Sequence, residues 1–419
     1  MKVVIIAGGQ GTRIASVNSE IPKAMIPVCG QPIIEHEVNL CKRYGYTDFV
    51  FVLGHMGDRI TSYFGDGSKW GVSIKYYQEE RPLGTAGALA YLKAGLTEDF
   101  FVFYGDTVVD FDMQAMQNYH LSKHADATLF VHPNDHPYDS DIVDLAADGR
   151  VRKFYNKPHA EGFIHRNIVN AALFIFSPKI LTQVEVGVKS HIEKDVLPRC
   201  LEAGMRLYGY ESFEYIKDMG TPERYHTVCK DFASGKVARM NRNNKRPAVF
   251  LDRDGTLIRE VNLLNRSGQV ELLEGVAEAV KLINRSGYLA IVVTNQPVIA
   301  RNLCSLEDLE HIHATLETML GKEGAYLNAI YYCPHHPDKG YPEERPEYKI
   351  DCSCRKPKPG MLLQAAKDWN IDLQASYMIG DTERDLQAGR NAGCKESIMV
   401  ETNAPEGLLN AVHELNLDY

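Results

Sequence analysis

The sequence predicts two consecutive α/β domains, each built on a mainly parallel sheet. Three observations predict this. Short apolar strands alternate with amphipathic helices along the chain. Met1–Gly11 carries an apolar strand, Val3–Ala7, into Gly8, Gly9 and Gly11. Arg246–Leu257 repeats that shape: the apolar run Ala248–Leu251 enters Asp252, Asp254, Gly255 and Thr256. A buried strand that ends in glycines or paired acids marks a loop at the carboxyl edge of a parallel sheet, where α/β sites form. Two such openings in 419 residues divide the chain into a domain over 1–233, a connector over 234–246 and a domain over 247–419.

Composition narrows the partners. A hydrophobic share of 44% and a charged share of 24% suit a globular protein with full cores. A net charge of −9 argues against nucleic acid or an anionic membrane as the main partner. The apolar start after Lys2 is too short for a signal peptide, and no run approaches the ~18 apolar residues of a membrane span. The nine cysteines are scattered except for Cys333, Cys352 and Cys354, which suits a reducing cytoplasm and one metal cluster rather than a disulfide framework. Small molecules are the expected partners, and homo-oligomerisation is left open.

In the first domain, Val3–Ala7, Phe49–Leu53, Ser73–Tyr77 and Phe100–Tyr104 read as buried strands. Pro32–Tyr44 and Thr85–Leu96 read as amphipathic helices between them, with right-handed crossovers. The first loop, Gly8–Ile14, offers glycine backbone N–H groups to phosphate oxygens, and Arg13 and Lys23 add cations. By itself such a loop is also a plain tight turn. It matches neither the dinucleotide G-x-G-x-x-G pattern nor the P-loop.

The order of features is more specific. GGQGTR is followed by IPKAMIPVCGQPIIEH, LGTAGAL, FYGDTV, FYNKP, VNAALFIF and IKDMGTPERY. This series resembles the sugar-1-phosphate nucleotidyltransferases across the whole domain, and within them the mannose- and heptose-1-phosphate guanylyltransferases. The resemblance implies a Rossmann-like mixed sheet and transfer of a nucleotidyl group with loss of pyrophosphate. That chemistry needs cations and metal more than an acid–base pair. It implies Mg²⁺ on Asp106 and Asp218, Arg13 and Lys23 against the triphosphate, and Lys157 on the sugar phosphate. Gly8, Gly9, Gly11 and Thr12 would line the phosphates, Gly84 and Thr85 the base, and Asn170 the sugar. Glu193 and Asp195 read first as a helix-start charge pattern, with a sugar contact from Glu193 as the alternative. Asn156, Ile14 and Ala24 depart from the family pattern without removing a needed charge.

Residues 233–246 hold few apolar side chains and several cations, and read as an exposed connector, with the preceding helix continuing to about Met240. Beyond it, DRDGT is followed by VVTNQ, CRKPKPGML and MIGDTERDLQAGRNAG. Each apolar strand ends in a polar cluster, and in a parallel sheet such ends converge on one pocket. The set resembles the haloacid dehalogenase superfamily of phosphohydrolases, end to end. The resemblance implies Asp252 as nucleophile, Asp254 as general acid and base, and Mg²⁺ on Asp252, Asp381 and the Asp254 carbonyl. Thr294 and Asn295 would bind phosphoryl oxygens, and Lys356 would offset charge, with Arg301 and Arg355 on the substrate. Asp385 either orients this set or serves as a helix salt bridge.

Between these clusters lie Cys333, His335, Cys352 and Cys354, a C-x-H and a C-x-C pair with sixteen residues between them. Three thiolates and an imidazole suit a closed, structural zinc site, and the Pro-rich loop has little apolar content to hold itself. His336 is a weaker alternative to His335. This insert makes the domain most like the heptose-bisphosphate and histidinol-phosphate phosphatases. Those relatives usually carry Ser-Gly after Thr-Asn-Gln and a glycine after Ala-Arg. Here Pro297, Val298 and Asn302 stand instead, which predicts a stiffer loop.

Together the two resemblances imply a bifunctional enzyme. Its phosphatase would remove the 7-phosphate of D-glycero-D-manno-heptose 1,7-bisphosphate. Its transferase would then join a nucleotide, GMP from GTP, to the heptose 1-phosphate and give GDP-heptose for surface polysaccharide. The alternatives are a hexose (mannose) 1-phosphate transferase fused to a phosphatase for another small ester, or one domain acting as a dead regulatory module.

Overall fold

The computed structural model describes residues 1–9, 14, 16–17, 20–338, 340 and 343–417. By contacts the chain forms two compact units. The first holds Met1–His132, Val143–Asn156 and Asn170–Asn241; the second holds Pro133–Ile142, Lys157–Val169 and Arg242–Tyr419. The division expected from sequence is continuous, whereas here two stretches of the earlier sequence group with the later one. Side-chain chemistry explains this. Arg166 pairs at 2.5 Å with Glu317, a buried carboxylate that needs a cation. The Thr318 hydroxyl accepts from the His165 N–H and donates to the His165 carbonyl. Pro137 occupies the space that a Cβ on Gly321 would fill, 2.6 Å away.

The nine-stranded sheet has the strand Lys2–Ala7 at its centre, parallel to Asp48–Leu53 on one side and Phe100–Tyr104 on the other. Ser73–Gln78 extends it in parallel, while Val169–Phe176 runs antiparallel to Phe100–Tyr104, so the sheet is mixed. The chain leaves the first strand in one direction and returns to its other side. The carboxyl ends of Lys2–Ala7 and Phe100–Tyr104 thus flank a switch point, the usual place for a ligand. Phe49, Phe51, Phe101 and Phe103 fill one core beneath it.

One expectation needs correction. Thr85–Leu96 is not an amphipathic α-helix; Gly87–Gly95 is a 3-10 helix. Its buried residues, Gly87 to Leu89 and Ala90, are consecutive, so no single stripe exists to favour the 3.6 period. The connector has exposed residues at 233–234, 238–239 and 243–245, and helix reaches Arg239 in two pieces. The helix Pro222–Ala233 stops at Gly235 (φ +74), a second short helix covers Lys236–Arg239, and Val237 packs with Val228 and Val108 in the first unit. Asn241 is also buried there and donates to Asp110 at 2.7 Å. Arg242 belongs to the second unit, where its carbonyl accepts from Asn370.

The second unit carries a five-stranded, wholly parallel sheet. Its order is Ala329–Cys333, Leu289–Asn295, Ala248–Leu251, Tyr377–Gly380 and Glu396–Met399. The central strand is apolar and fully buried, as a two-sided parallel strand must be. Among the described residues no helix is long and apolar enough to cross a membrane.

Candidate active sites

In the first unit the sheet edge carries Gly8, Gly9 and Asp106. Arg13, Gly11 and Thr12 lie outside the described residues. Gly8 is a close approach, since a Cβ there would come within 2.6 Å of the Glu79 carboxylate. Lys23, mostly buried at the start of a 3-10 turn, pairs with Asp106. Asp218 lies one strand over: it pairs with Thr107 in an antiparallel ladder, and the Met219 N–H donates to the Asp106 carbonyl at 3.0 Å. Its carboxylate accepts from the Gly220 N–H at 2.8 Å and pairs with Arg224. The two carboxylates thus stand at one end of two paired strands, Asp106 with Lys23 and Asp218 with Arg224.

Gly84 and Thr85 are held against the segment at Ser190–Ile192. Gly84 has φ +78, and a Cβ there would meet the Ser190 carbonyl at 2.3 Å. The Thr85 hydroxyl accepts from the Ile192 N–H at 2.9 Å. Glu193 and Asp195 separate in role. Asp195 accepts from the His191 N–H at 2.7 Å, a helix-start contact. Glu193 instead accepts from the buried Tyr104 hydroxyl at 2.6 Å, beside the end of the Asp106 strand. Asn170 accepts from the Ala172 N–H at 3.2 Å. Lys157 belongs to the second unit, where its ammonium donates to the Asp139 carbonyl at 2.6 Å.

In the second unit the carboxyl ends of three adjacent strands bring Asp252, Thr294 and Asp381 together. Lys356 is almost fully buried and bonds two carboxylates, Asp252 at 2.7 Å and Asp385 at 2.6 Å. Burial pushes Asp252 up to about 7; Lys356 opposes this, while Asp385 and Asp254 add to it. Burial also works against the Lys356 charge, but the two carboxylates more than offset it, and its pKa stands above the ordinary lysine range. Asp385 therefore has two contacts, neither of them a salt bridge within its helix. It orients Lys356, and it closes the capping box of its own helix by accepting from Thr382. Asn295 holds the lysine loop from the other side, donating to the Lys356 carbonyl at 3.1 Å and accepting from the Lys356 N–H at 3.0 Å.

Ligand oxygens of Asp252, Asp381 and Asp385 all lie within 4.8 Å of one another. Asp385 is committed to Lys356 and Thr382, so Asp252 and Asp381 offer the face for Mg²⁺, a hard cation that takes carboxylate oxygens. Burial raises the Asp381 pKa, and the Thr402 hydroxyl, donating at 2.7 Å, partly offsets it. Gly255, at φ +83, leaves the room beside Asp381 that a Cβ would close.

Cys333, His335, Cys352 and Cys354 form the other cluster, again with ligand atoms within 4.8 Å. The sulfur pairs stand 3.2–3.4 Å apart, and His335 Nδ1 is 3.4 Å from the Cys354 sulfur. A tetrahedral zinc with bonds of about 2.3 Å would set its sulfurs about 3.8 Å apart, a small outward adjustment. His336 is not in this group; its Nδ1 accepts from the Asp338 N–H. Arg355 donates to the His335 carbonyl at 3.1 Å and so braces the loop. The departing loop folds as a helical turn over Pro297–Ala300, and Asn302 takes φ +55, a conformation asparagine tolerates. Arg345 donates to its side chain at 2.6 Å.

Sequence reasoning assigned no role to Gln296 or Arg253. Gln296 donates to both Asp254 and Thr294, at 2.8 Å each. Arg253 is fully buried and grips Asp254. The available signal was an arginine two residues past an apolar buried strand, where burial demands a partner.

Comparison with known proteins follows the two halves. Residues 2–235 match the Nucleotidyl transferase family, and residues 353–411 match the HAD-hydrolase-like family. Over 158 residues, the chain is 42% identical to the D-glycero-beta-D-manno-heptose-1,7-bisphosphate 7-phosphatase of Pasteurella multocida (strain Pm70), covering 38% of this chain and 83% of that one. The protein of the same name from Haemophilus ducreyi is 44% identical over 156 residues, 37% of this chain and 83% of its own. A crystal structure of HddC from Yersinia pseudotuberculosis is 26% identical and covers 55% of this chain and 99% of its own, with a TM-score of 0.48.

Proposed function

Because the chain belongs to the Nucleotidyl transferase family through its first half and to the D-glycero-beta-D-manno-heptose-1,7-bisphosphate 7-phosphatases through its second, we propose that it performs two successive steps on one sugar. The phosphatase removes the 7-phosphate of heptose 1,7-bisphosphate. The transferase then joins the remaining 1-phosphate to a nucleotide, GMP from GTP, giving GDP-heptose and pyrophosphate. The observation that carries this reading is the 42% identity of the second half to a phosphatase of that name. A 1-phosphate is what such a phosphatase leaves and what a sugar-1-phosphate nucleotidyltransferase consumes.

In the phosphatase, an Asp252 oxygen attacks phosphorus, a bond forms between them, and the bond from phosphorus to the C7 oxygen breaks. Asp254 gives the departing oxygen its proton, then takes one from the water that hydrolyses the aspartyl phosphate. Lys356 and Thr294 hold the phosphoryl oxygens and the nucleophile in line. Asp252 and Asp381 would hold Mg²⁺, which would supply positive charge against the phosphoryl group. In the transferase, Lys23 and Arg13 bind the triphosphate, and Asp106 and Asp218 would hold Mg²⁺, which would supply positive charge against the phosphates. Cys333, His335, Cys352 and Cys354 would hold zinc, which would stand in for a core in their loop.

The test is a coupled assay on the full chain. Heptose 1,7-bisphosphate, α and β anomers separately, is supplied with each nucleoside triphosphate and Mg²⁺. Phosphate release followed by GDP-heptose is the expected result. Phosphate release without any sugar nucleotide would reassign the transferase to another sugar, with mannose 1-phosphate next. No phosphate release would overturn the phosphatase assignment.

A further inference from the structure

The residue between the two catalytic aspartates reaches both of them. The Arg253 N–H donates to Asp252 Oδ1 at 2.8 Å. Its guanidinium turns to Asp254: Nη2 stands 2.9 Å from each carboxylate oxygen and Nε 3.2 Å from Oδ1. The far nitrogen, Nη1, faces Nε2 of His313 at 3.2 Å. Arg253 is wholly buried, so each of these contacts replaces water it cannot reach.

Donor and acceptor roles follow from chemistry. A guanidinium can only donate, so His313 Nε2 is the acceptor and the ring proton sits on Nδ1. A neutral imidazole is what this position allows: burial holds the His313 pKa well below the ordinary range, and Arg253 and Arg166 add to that. His313 is itself fixed in the Leu306–Lys322 helix, with its ring 5.7 Å from that of Tyr332.

The same count applies to Asp254. A carboxylate has about four lone-pair positions. Arg253 reaches both oxygens, with Nε and Nη2 on Oδ1 and Nη2 also on Oδ2, and Gln296 adds a contact on Oδ2. Gripped on both oxygens, the carboxyl group cannot turn about its own axis, so its plane is fixed.

We propose that Arg253, backed by His313, is the positioning residue of the general acid, fixing the orientation in which Asp254 delivers its proton to the departing sugar oxygen. This rests on the phosphatase reading above. Its consequence is selective. A sugar alkoxide cannot leave without a proton, whereas a nitrophenolate can, so misplacing the acid harms one ester far more than the other. A merely structural role for Arg253 would harm both alike.

The experiment compares kcat/KM for heptose 1,7-bisphosphate and for p-nitrophenyl phosphate in the full zinc-loaded chain. kcat/KM reports steps up to loss of the leaving group, so later hydrolysis of the aspartyl phosphate does not blur it. In Arg253→Met, the sugar phosphate is expected to lose a further factor of roughly 10–100 beyond any loss with the aryl ester. Because Arg253→Met takes the paired cation from Asp254 and puts the fold at risk, His313 provides a second pair. His313→Leu removes the acceptor and is expected to show the same selective loss, several-fold in size. His313→Gln restores an acceptor oxygen and is expected to recover most of it. Equal losses on both esters, or a His313→Gln no better than His313→Leu, would overturn the proposal and leave the phosphatase reading standing. No turnover of either ester by the wild-type chain would overturn that reading, and the proposal with it.

Discussion

The ammonium of Lys356 lies 2.7 Å from Oδ1 of Asp252, and both side chains are buried. Since burial holds Asp252 up at about 7, Mg²⁺ must displace a proton from it below that pH. Mg²⁺ affinity at the phosphatase site is expected to strengthen by up to about tenfold per pH unit as pH rises toward 7, then level off. Calorimetric titration of the Asp106→Asn variant, which weakens the other metal site, measures this. An affinity flat across that range would refute the account. Lys356→Met should lower phosphatase kcat by about 10²–10³-fold, the scale of losing one preorganised charge.

The two chemistries should separate by mutation. Asp252→Asn is expected to reduce phosphate release by about 10⁴-fold or more, as removal of a nucleophile does, with pyrophosphate release from a supplied sugar 1-phosphate retained. Asp106→Asn should do the reverse, with a transferase loss of about 10²–10³-fold. Parallel phosphate and pyrophosphate assays read both. Loss of both activities in either variant would contradict separate sites.

Zinc removal should act on stability. The loop around Cys333, His335, Cys352 and Cys354 has little apolar packing of its own, so metal binding to the folded chain counts toward folding. Chelation, or Cys352→Ser, is expected to lower the thermal midpoint by several degrees, roughly 1–3 kcal/mol, with one zinc lost per chain. A chain that holds no zinc and melts unchanged with chelator would remove the metal from the account.

His313 makes the fold acid-sensitive. Its pKa is depressed by burial in the folded state, so the unfolded chain binds a proton that the folded chain refuses. Stability from this group is present above the unfolded pKa of about 6.5 and falls as pH drops below it, by up to about 1.4 kcal/mol per pH unit. Denaturant melts across that range should show a shallower slope in His313→Gln than in the wild type. An identical slope would mean that His313 protonates as readily when folded.

Gly255 tests the metal face. Its φ of +83 disfavours any side chain, and a Cβ would sit 2.2 Å from the Asp381 carboxylate. Gly255→Ala is expected to cost about 1–3 kcal/mol of stability and to weaken Mg²⁺ binding. A variant with wild-type Mg²⁺ affinity would show that Asp381 does not need this space.

Much of the site was legible because its signals are local. The run into Asp252, the Thr294 strand end and the Asp381 loop are each a strand followed by polar residues, and parallel pairing must bring such ends to one edge. The Thr85–Leu96 segment misled for the opposite reason. Its apolar count suggested a helix face, but its glycines and its close contact with Ser190 made a tighter 3-10 path.

The sequence by itself determined two α/β sheets, the residue types at their loop ends and the zinc-type cysteine–histidine set. Strand period, turn chemistry and ligand spacing are properties of a few neighbouring residues, so they survive without a fold. Only the tertiary structure decided where buried charges find their partners. Arg253 meets His313 from sixty residues away, and Arg166 meets Glu317 from 151 residues away. No local pattern encodes such pairs. A buried charge must be matched by whatever group packing brings beside it, and that is why Pro133–Ile142 and Lys157–Val169 belong to the unit of the later chain.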